Sequence, residues 1–262
     1  MGRVADVSVG AAPRSRGRGG YRPRKTATLL AQRIVSEIAD RNLPPGEALP
    51  PEREMLEQYG VARGTLREAL RFLEIQGVIT IKTGPGGGPI VGRPESRHLA
   101  STMAMMLQLT HTSFRSVLEA RVVLEPALAR RAAERIDDAG LDVLHESLVA
   151  MREHIDDVDF FREENERFHE LIAEAAGNPV FALLITSLNW ISDGTPLGVE
   201  YPLESREAVC KEHARIHQAI ARRDPDRAAA AMAVHLGDFT TYLERRYPQV
   251  MNAPLRWDQV DA

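Results

Sequence analysis

Cysteine is nearly missing from this chain: Cys210 is the single one in 262 residues. No internal disulfide can form, which fits a reducing compartment, and Cys210 itself reads as a small helix residue packed inside rather than a reactive thiol. Long hydrophobic runs are also missing. The longest apolar stretch without charge, around Val180 to Ile191, follows Gly177-Asn178-Pro179 and is too short to span a bilayer. The first residues carry arginines but no continuous apolar core, which argues against a secretory leader. No strand-like segment interrupts residues 99–247, and no HExxH pairing occurs there, so a protease-type zinc site is not indicated. The expectation is a cytoplasmic protein without a membrane partner.

What remains is ample for a core. Hydrophobic residues make up 44% of the chain and charged residues 27%, enough for one large or two moderate domains. The net charge of −4 conceals an asymmetry. Residues 1–97 hold 16 basic against 10 acidic residues, a net of +6, and residues 98–262 hold 17 against 27, a net of −10. A basic first part joined to an acidic second part points to a nucleic-acid module attached to something else.

The stretch from Leu49 to Arg93 carries the first motif. Pro51 suits the first position of a helix, Glu52 and Glu54 favour its positive end, and Tyr59-Gly60-Val61-Ala62 supplies a tight turn. In the next helix Leu66, Ala69, Leu70 and Leu73 form one stripe, while Arg63, Thr65, Arg67 and Arg71 occupy the other face. After Gly77 the pattern alternates as Val78-Ile79-Thr80-Ile81, then a glycine-rich tip, then Pro89-Ile90-Val91, which reads as a hairpin. Pattern alone leaves two options: a helix-turn-helix with a wing, or a helical hairpin with a solvated basic face.

The residues LPPERE, the GVAR-TLREALR core and the following L-x-x-x-G-x-I spacing resemble the winged-helix domain of GntR-type bacterial repressors. The resemblance implies that Arg53, Arg63, Thr65 and Arg67 contact DNA and that Gly84 sits on a wing entering the minor groove. It also shows a departure: Gly64 stands where the family usually has a hydroxyl residue, so one side-chain contact is expected to be missing.

Around this module the chain divides readily. Residues 1–22, rich in Arg, Gly, Pro and Ala, are expected to be a disordered basic arm. Residues 23–93 form the winged helix-turn-helix, opened by an amphipathic helix that carries Leu29, Leu30, Ile34, Val35 and Ile38. Residues 94–98 are a linker, 99–247 an all-helical bundle, and 248–262 a C-terminal tail. Within the bundle, Ser113 is placed to cap a long helix whose inner stripe is Phe114, Val117, Leu118, Leu128 and Ala132. The fold class is mainly α: three helices and a small β-hairpin wing, then a helical bundle.

Three histidines of the second domain fall on inward helix positions. His169 lies among Phe168, Leu171 and Ile172, His213 shares a face with Ile216 and Ile220, and His235 shares one with Ala231, Met232 and Phe239. Each alone reads as a packed core histidine; three on separate helices of one bundle raise a metal site, because imidazole is a common ligand. Asn165, four residues before His169, projects from the same helical face. NERFHELIAEAAGNPVF, EHARIHQAI and DPDRAAAAMAVHL resemble the FCD ligand-binding domain of the FadR-type branch of GntR repressors. Many of its members hold a divalent metal with one Asp and three His, and those positions match Asn165, His169, His213 and His235. Asn165 offers a neutral carbonyl oxygen in place of a carboxylate, so Zn or Ni is expected to bind more weakly or with an acidic effector as an added ligand. A metal-free pocket is the other option.

Arg121 follows Val117 and Leu118 on the apolar stripe with Glu125 one turn further. It serves either as half of an Arg121–Glu125 pair or as a bidentate anchor for a carboxylate effector. His145 and His217 read as surface or rim residues, and Trp190 lines the pocket or only packs. The expectation is a transcriptional repressor, not an enzyme, that binds a palindromic double-stranded operator as a homodimer and responds to a carboxylic acid. Two alternatives stand beside it: an effector-independent regulator whose second domain only dimerises, and a metal-dependent helical enzyme.

Overall fold

The structure, a computed structural model, describes residues 23–84, 87–93 and 95–259. The expected basic arm, residues 1–22, lies outside the described residues. The chain divides into two compact units, Met1–Pro94 and Glu95–Ala262.

In the first unit α1 (Pro23–Asp40), α2 (Glu52–Tyr59) and α3 (Arg63–Ile75) precede the strands β1 (Ile79–Lys82) and β2 (Gly88–Val91). The stripe read from sequence is the buried one: Leu66, Ala69, Leu70 and Leu73 pack with Ala27, Leu30, Ala31 and Ile34 of α1 and with Met55 of α2. Gly60 ends α2 at φ 63°, ψ 36°, a left-handed conformation that a glycine takes without a Cβ clash. The wing is antiparallel, pairing Ile79 with Val91 and Lys82 with Gly88, and buries Ile79 and Val91 in the same core. One feature escaped the sequence. The segment before α2 also pairs with β2, through Val91 N to Glu47 O at 2.8 Å and Leu49 N to Pro89 O at 2.9 Å, so the wing is anchored on its second edge.

The second unit is helical: α4 (Ser96–Leu109), α5 (Phe114–Arg135), α6 (Asp138–Glu153), α7 (Val158–Ala175), α8 (Pro179–Ile191), α9 (Leu203–Ala221), α10 (Pro225–Arg246) and the short α11 (Pro248–Asn252). α10 packs along α5 and α9, and α7 packs on α5, α6 and α8. Asp137, Asp157, Asn178 and Asp224 cap the helices that follow them, each accepting from a first-turn amide, which explains where α6, α7, α8 and α10 begin.

Three expectations are corrected here. α4 already begins at Ser96, so the linker is shorter than 94–98. Residues 248–262 are not a loose tail through residue 259: Val250, Met251 and Leu255 are core residues, and the Trp257 indole donates to Ser101 Oγ at 2.7 Å. Ser113 occupies the cap position of α5, but its side chain accepts no first-turn amide; the Phe114 amide instead donates to Ala253 O at 3.1 Å, so the C-terminal segment supplies the cap.

Two apolar clusters fill this unit. On α10, Met232 and Leu236 belong to one and Phe239 and Leu243 to the other, with His235 at the junction. Buried polar side chains, Arg121, Glu125, His169 and His213 among them, gather around His235.

Candidate functional site

Each histidine arrives from its own helix: His169 from α7, His213 from α9 and His235 from α10. All three rings are buried, at 2%, 0% and 4% exposure. Their Nε2 atoms converge, with His235 Nε2 standing 3.3 Å from His213 Nε2 and 3.3 Å from His169 Nε2. The outward nitrogens are fixed by carboxylates. His169 Nδ1 meets Glu125 Oε2 at 2.5 Å and His235 Nδ1 meets Glu212 Oε2 at 2.7 Å. A carboxylate at Nδ1 keeps the proton there and leaves the lone pair on Nε2. His213 stacks on Phe168, with ring centroids 4.1 Å apart and planes 11° from parallel, and its Nδ1 has no partner.

Lone pairs aimed at one another at this distance repel unless a cation or proton lies between them. Burial pulls His213 well below the ordinary imidazole value, and its neighbours His235, His169 and Arg121 add to this. Burial also lowers His169, against the opposing pull of Glu125. Three buried imidazoles with converging ring nitrogens form a donor set that fits Zn or Ni, and the group His169, His213 and His235 has its ligand atoms within 4.8 Å of one another.

The cluster borders a small cavity of about 50 Å³. His169 and His235 line it and His213 stands behind them. Asn165 and Arg121 line the same cavity, so the structure brings together Asn165, Arg121 and two of the histidines, as read from sequence. Arg121 makes the intrahelical pair with Glu125 that its spacing suggests. Its Nε donates to Glu125 at 2.6 Å and its Nη1 to Ser192 Oγ at 2.9 Å, while its side chain still faces the cavity. Burial would raise the Glu125 carboxyl, but Arg121 and His169 beside it hold it well below the usual carboxylate range. Glu125 thus ties the arginine to the histidine cluster.

Several cavity residues were not singled out from sequence. Arg162 on α7 pairs with Asp193 at 2.8 Å. Glu166 lies one residue beyond Asn165, and burial, with Asp193 nearby, lifts its carboxyl to about 7. Asn189 on α8 is 2% exposed and neither amide atom has a partner. No period marks these positions as functional, because polar residues on a mostly apolar helix read as caps or surface. Trp190 does not line the cavity and is 41% exposed. His145 and His217 face each other at 5.3 Å between α6 and α9, away from the site. Cys210 is buried and its thiol is raised, as an inert helix residue should be.

In the first unit Arg53, Arg63 and Arg67 are exposed and Thr65 is half-buried. Arg67 forms a two-pronged pair with Glu52, Nε–Oε1 at 2.9 Å and Nη2–Oε2 at 3.3 Å, and Arg63 approaches the same carboxylate at 3.7 Å. Glu52 therefore gathers two α3 arginines on one exposed face. Gly84 holds φ 99° at the wing tip. A Cβ on Gly64 would meet nothing within 4 Å, so the family's hydroxyl residue would fit there, and its loss is one of chemistry rather than space.

No helix among the described residues is long and apolar enough to cross a membrane. The family described as bacterial regulatory proteins, gntR family, matches residues 26–87, and the FCD domain family matches residues 116–238. The chain is 32% identical over 236 residues to the HTH-type transcriptional repressor NanR of Cronobacter sakazakii, covering 87% of this chain and 90% of that protein. It is 31% identical to NanR of Citrobacter rodentium, covering 81% and 83%. A GntR structure from Streptococcus agalactiae superposes with a TM-score of 0.63 at 24% identity over 82% of this chain and 99% of that one, which bears on the fold alone. A winged helix-turn-helix followed by a helical domain with a buried polar junction, matched along nearly its whole length, places this chain in the GntR family of DNA-binding transcription regulators, in the group that carries an FCD domain, and not among enzymes.

Proposed function

We propose that the chain is a homodimeric, cytoplasmic repressor that holds a divalent metal on its three histidines and releases a palindromic operator when a carboxylic acid binds beside that metal. The single observation that carries the reading is the convergence of three buried Nε2 atoms, two of them oriented by carboxylates, on the wall of a cavity shared with Arg121. The repressor assignment follows the names of the relatives. Arg53, Arg63, Thr65 and Arg67 would read the duplex from the exposed face of the helix pair, with the wing at Gly84 beside it.

Charge balance says why metal and effector belong together. Arg121 is matched by Glu125 and Arg162 by Asp193, so the protein alone leaves no surplus positive charge in the cavity. A divalent ion on the histidines supplies that charge and open coordination positions for a carboxylate. Asn165 adds a neutral oxygen at most. The chain's own residues then have distinct tasks. Glu125 and Glu212 hold the imidazoles in the ligating tautomer, and Arg121, steadied by Ser192, presents its guanidinium to the acid. α8, which carries Asn189 and precedes Ser192, also touches the start of α4 through Ser187 Oγ to Ser96 O at 3.2 Å. An acid that favours one placement of α8 therefore has a contact through which to bias the helix that leaves the DNA-binding unit.

The test is elemental analysis of untagged full-length protein purified without chelators, with His213→Ala as control, followed by titration of small carboxylates against an operator selected from random DNA. Near-stoichiometric metal that is lost in the variant, together with operator release by an acid, is the expected result. Absence of metal even after it is added back, or carboxylates that alter neither melting temperature nor DNA affinity, would overturn the proposal and favour a second domain that only dimerises.

A further inference from the structure

A second pair of imidazoles lies outside the site described above. His145 projects from α6 and His217 from α9, with ring centroids 5.3 Å apart and planes 40° from parallel. The two helices pack together, and Leu144 of α6 shares one apolar cluster with Ile216, Ala219 and Ile220 of α9, which fixes their spacing from beneath. In the buried cluster, His169 and His235 have centroids 5.2 Å apart and Nε2 atoms 3.3 Å apart. The outer pair therefore has the ring separation that, in the cluster, brings two nitrogens toward one point. His217 follows His213 by one turn of α9, yet it turns to α6 and is not part of the cluster.

The surroundings prepare the pair to ligate. One His217 nitrogen donates to the Leu141 carbonyl of α6, which keeps the proton there and leaves the lone pair on the other nitrogen. That carbonyl does for His217 what Glu125 and Glu212 do for His169 and His235. Burial lowers the His217 imidazole and His145 beside it adds to this, so the ring is mostly uncharged at neutral pH. Asp142 is exposed three residues before His145 on α6. Residues at that spacing share one helical face, and an acid and a histidine three apart are a ligand arrangement that helical bundles use.

We propose that His145 and His217, with Asp142 as a third ligand, form a surface site for a divalent transition cation of the zinc class, separate from the three-histidine cluster. Two imidazoles and a carboxylate suit such an ion, and water completes its coordination. The site bridges two helices, so an ion there staples α6 to α9, the helix that brings His213 to the cluster. It binds only where the two helices are docked and therefore stabilises the folded domain. His145 and Asp142 are exposed, so this site fills and empties with the free metal concentration, whereas the cluster is closed over by protein.

The experiment adds zinc to untagged full-length protein and counts bound ions by calorimetry and by equilibrium dialysis with metal analysis. The wild type is expected to hold one zinc more per chain than His145→Ala or His217→Gln, and to gain more melting temperature from added zinc than either. Asp142→Asn should weaken this additional ion at least about tenfold. Equal zinc in the wild type and both histidine variants would mean that the rings only stack, and the proposal falls. It falls too if His154→Ala, which removes an exposed histidine elsewhere on the domain, loses the same ion, because binding is then unspecific. Unchanged affinity in Asp142→Asn would strike Asp142 from the ligands. The count separates the two sites: zinc remaining in His145→Ala reports on the cluster, and the difference from the wild type reports on this pair, so either reading can fail alone. His145 is exposed, so its replacement by alanine leaves the core packing untouched.

Discussion

Glu125→Gln is the most informative single change, because Glu125 accepts from two donors at once: Arg121 Nε at 2.6 Å and His169 Nδ1 at 2.5 Å. A glutamine brings one acceptor oxygen and one N–H₂. If the oxygen stays with Arg121, the amide nitrogen faces His169 Nδ1, which must give up its proton to accept. The proton then moves to Nε2, the atom that stands 3.3 Å from His235 Nε2, and the lone pair required for a metal is lost. Loss of such an orienting partner weakens metal binding by roughly 10–100-fold, or about 1.4–2.7 kcal/mol. Stability suffers as well. Arg121 and Glu125 are both buried, and breaking a buried pair from one side costs roughly 3–5 kcal/mol; since one hydrogen bond survives, the lower end is expected.

Glu212→Gln supplies the contrast. Glu212 faces a single donor, His235 Nδ1 at 2.7 Å, and a glutamine oxygen can accept that proton without disturbing the tautomer. Metal affinity should fall only a few-fold, and stability by about 1 kcal/mol. Competition against a chromophoric chelator at pH 7.5 gives the affinities, and urea unfolding of metal-free protein gives the stabilities. A folded Glu125→Gln protein that binds metal like the wild type, or a Glu212→Gln protein weakened just as much, would refute the tautomer argument.

Two further outcomes are expected. Arg67→Ala should lose roughly 1–3 kcal/mol of specific operator binding if Arg67 reads a base, measured by fluorescence anisotropy; its exposed pair with Glu52 contributes about 0–1 kcal/mol, so thermal stability should hardly change, and unaltered operator affinity would remove Arg67 from the reading face. Glu166, lifted from 4.5 to about 7 chiefly by burial, keeps a proton in the folded protein that the unfolded chain has already lost. Its contribution is therefore fully present below pH 4.5 and fades as pH rises through 7, a span on the order of 3 kcal/mol; urea unfolding between pH 5 and 8 should show this decline in the wild type relative to Glu166→Gln, and parallel profiles would count against it.

What could be read in advance was local. The α3 stripe at Leu66, Ala69, Leu70 and Leu73 and the left-handed Gly60 are properties of neighbouring residues, so the two helices and their turn were legible from spacing, while the choice of a winged helix-turn-helix over a plain helical hairpin came from the family resemblance. The inward setting of His169, His213 and His235 was legible in the same way, each from its own helix. What those helices do to one another was not. Glu125 reaches His169 across 44 residues of sequence and Glu212 reaches His235 across 23, contacts set by how α5 meets α7 and how α9 meets α10. Glu125 was visible only as a partner of Arg121 four residues away. Ser113 shows the reverse error: the residue type was right for a cap, but a carbonyl from Ala253, far along the chain, already held the amide.

Asn165 gives the proposed site its character. With an aspartate there, a divalent ion would carry one fixed negative charge among its ligands; with asparagine the histidines and the amide are all neutral. The carboxylates that touch the rings, buried Glu125 and half-buried Glu212, stand behind them at Nδ1 and already share their charge with Arg121 or an imidazole. An ion in this setting keeps most of its charge unmatched until an anion enters the cavity. The effector then supplies what the protein omits, so metal and acid should each tighten the other's binding by the same factor. Under the proposed function such reciprocity would make the pocket respond to the pair rather than to either alone, and would turn a single departure from the family pattern from a defect in metal binding into a condition on when the regulator senses its ligand.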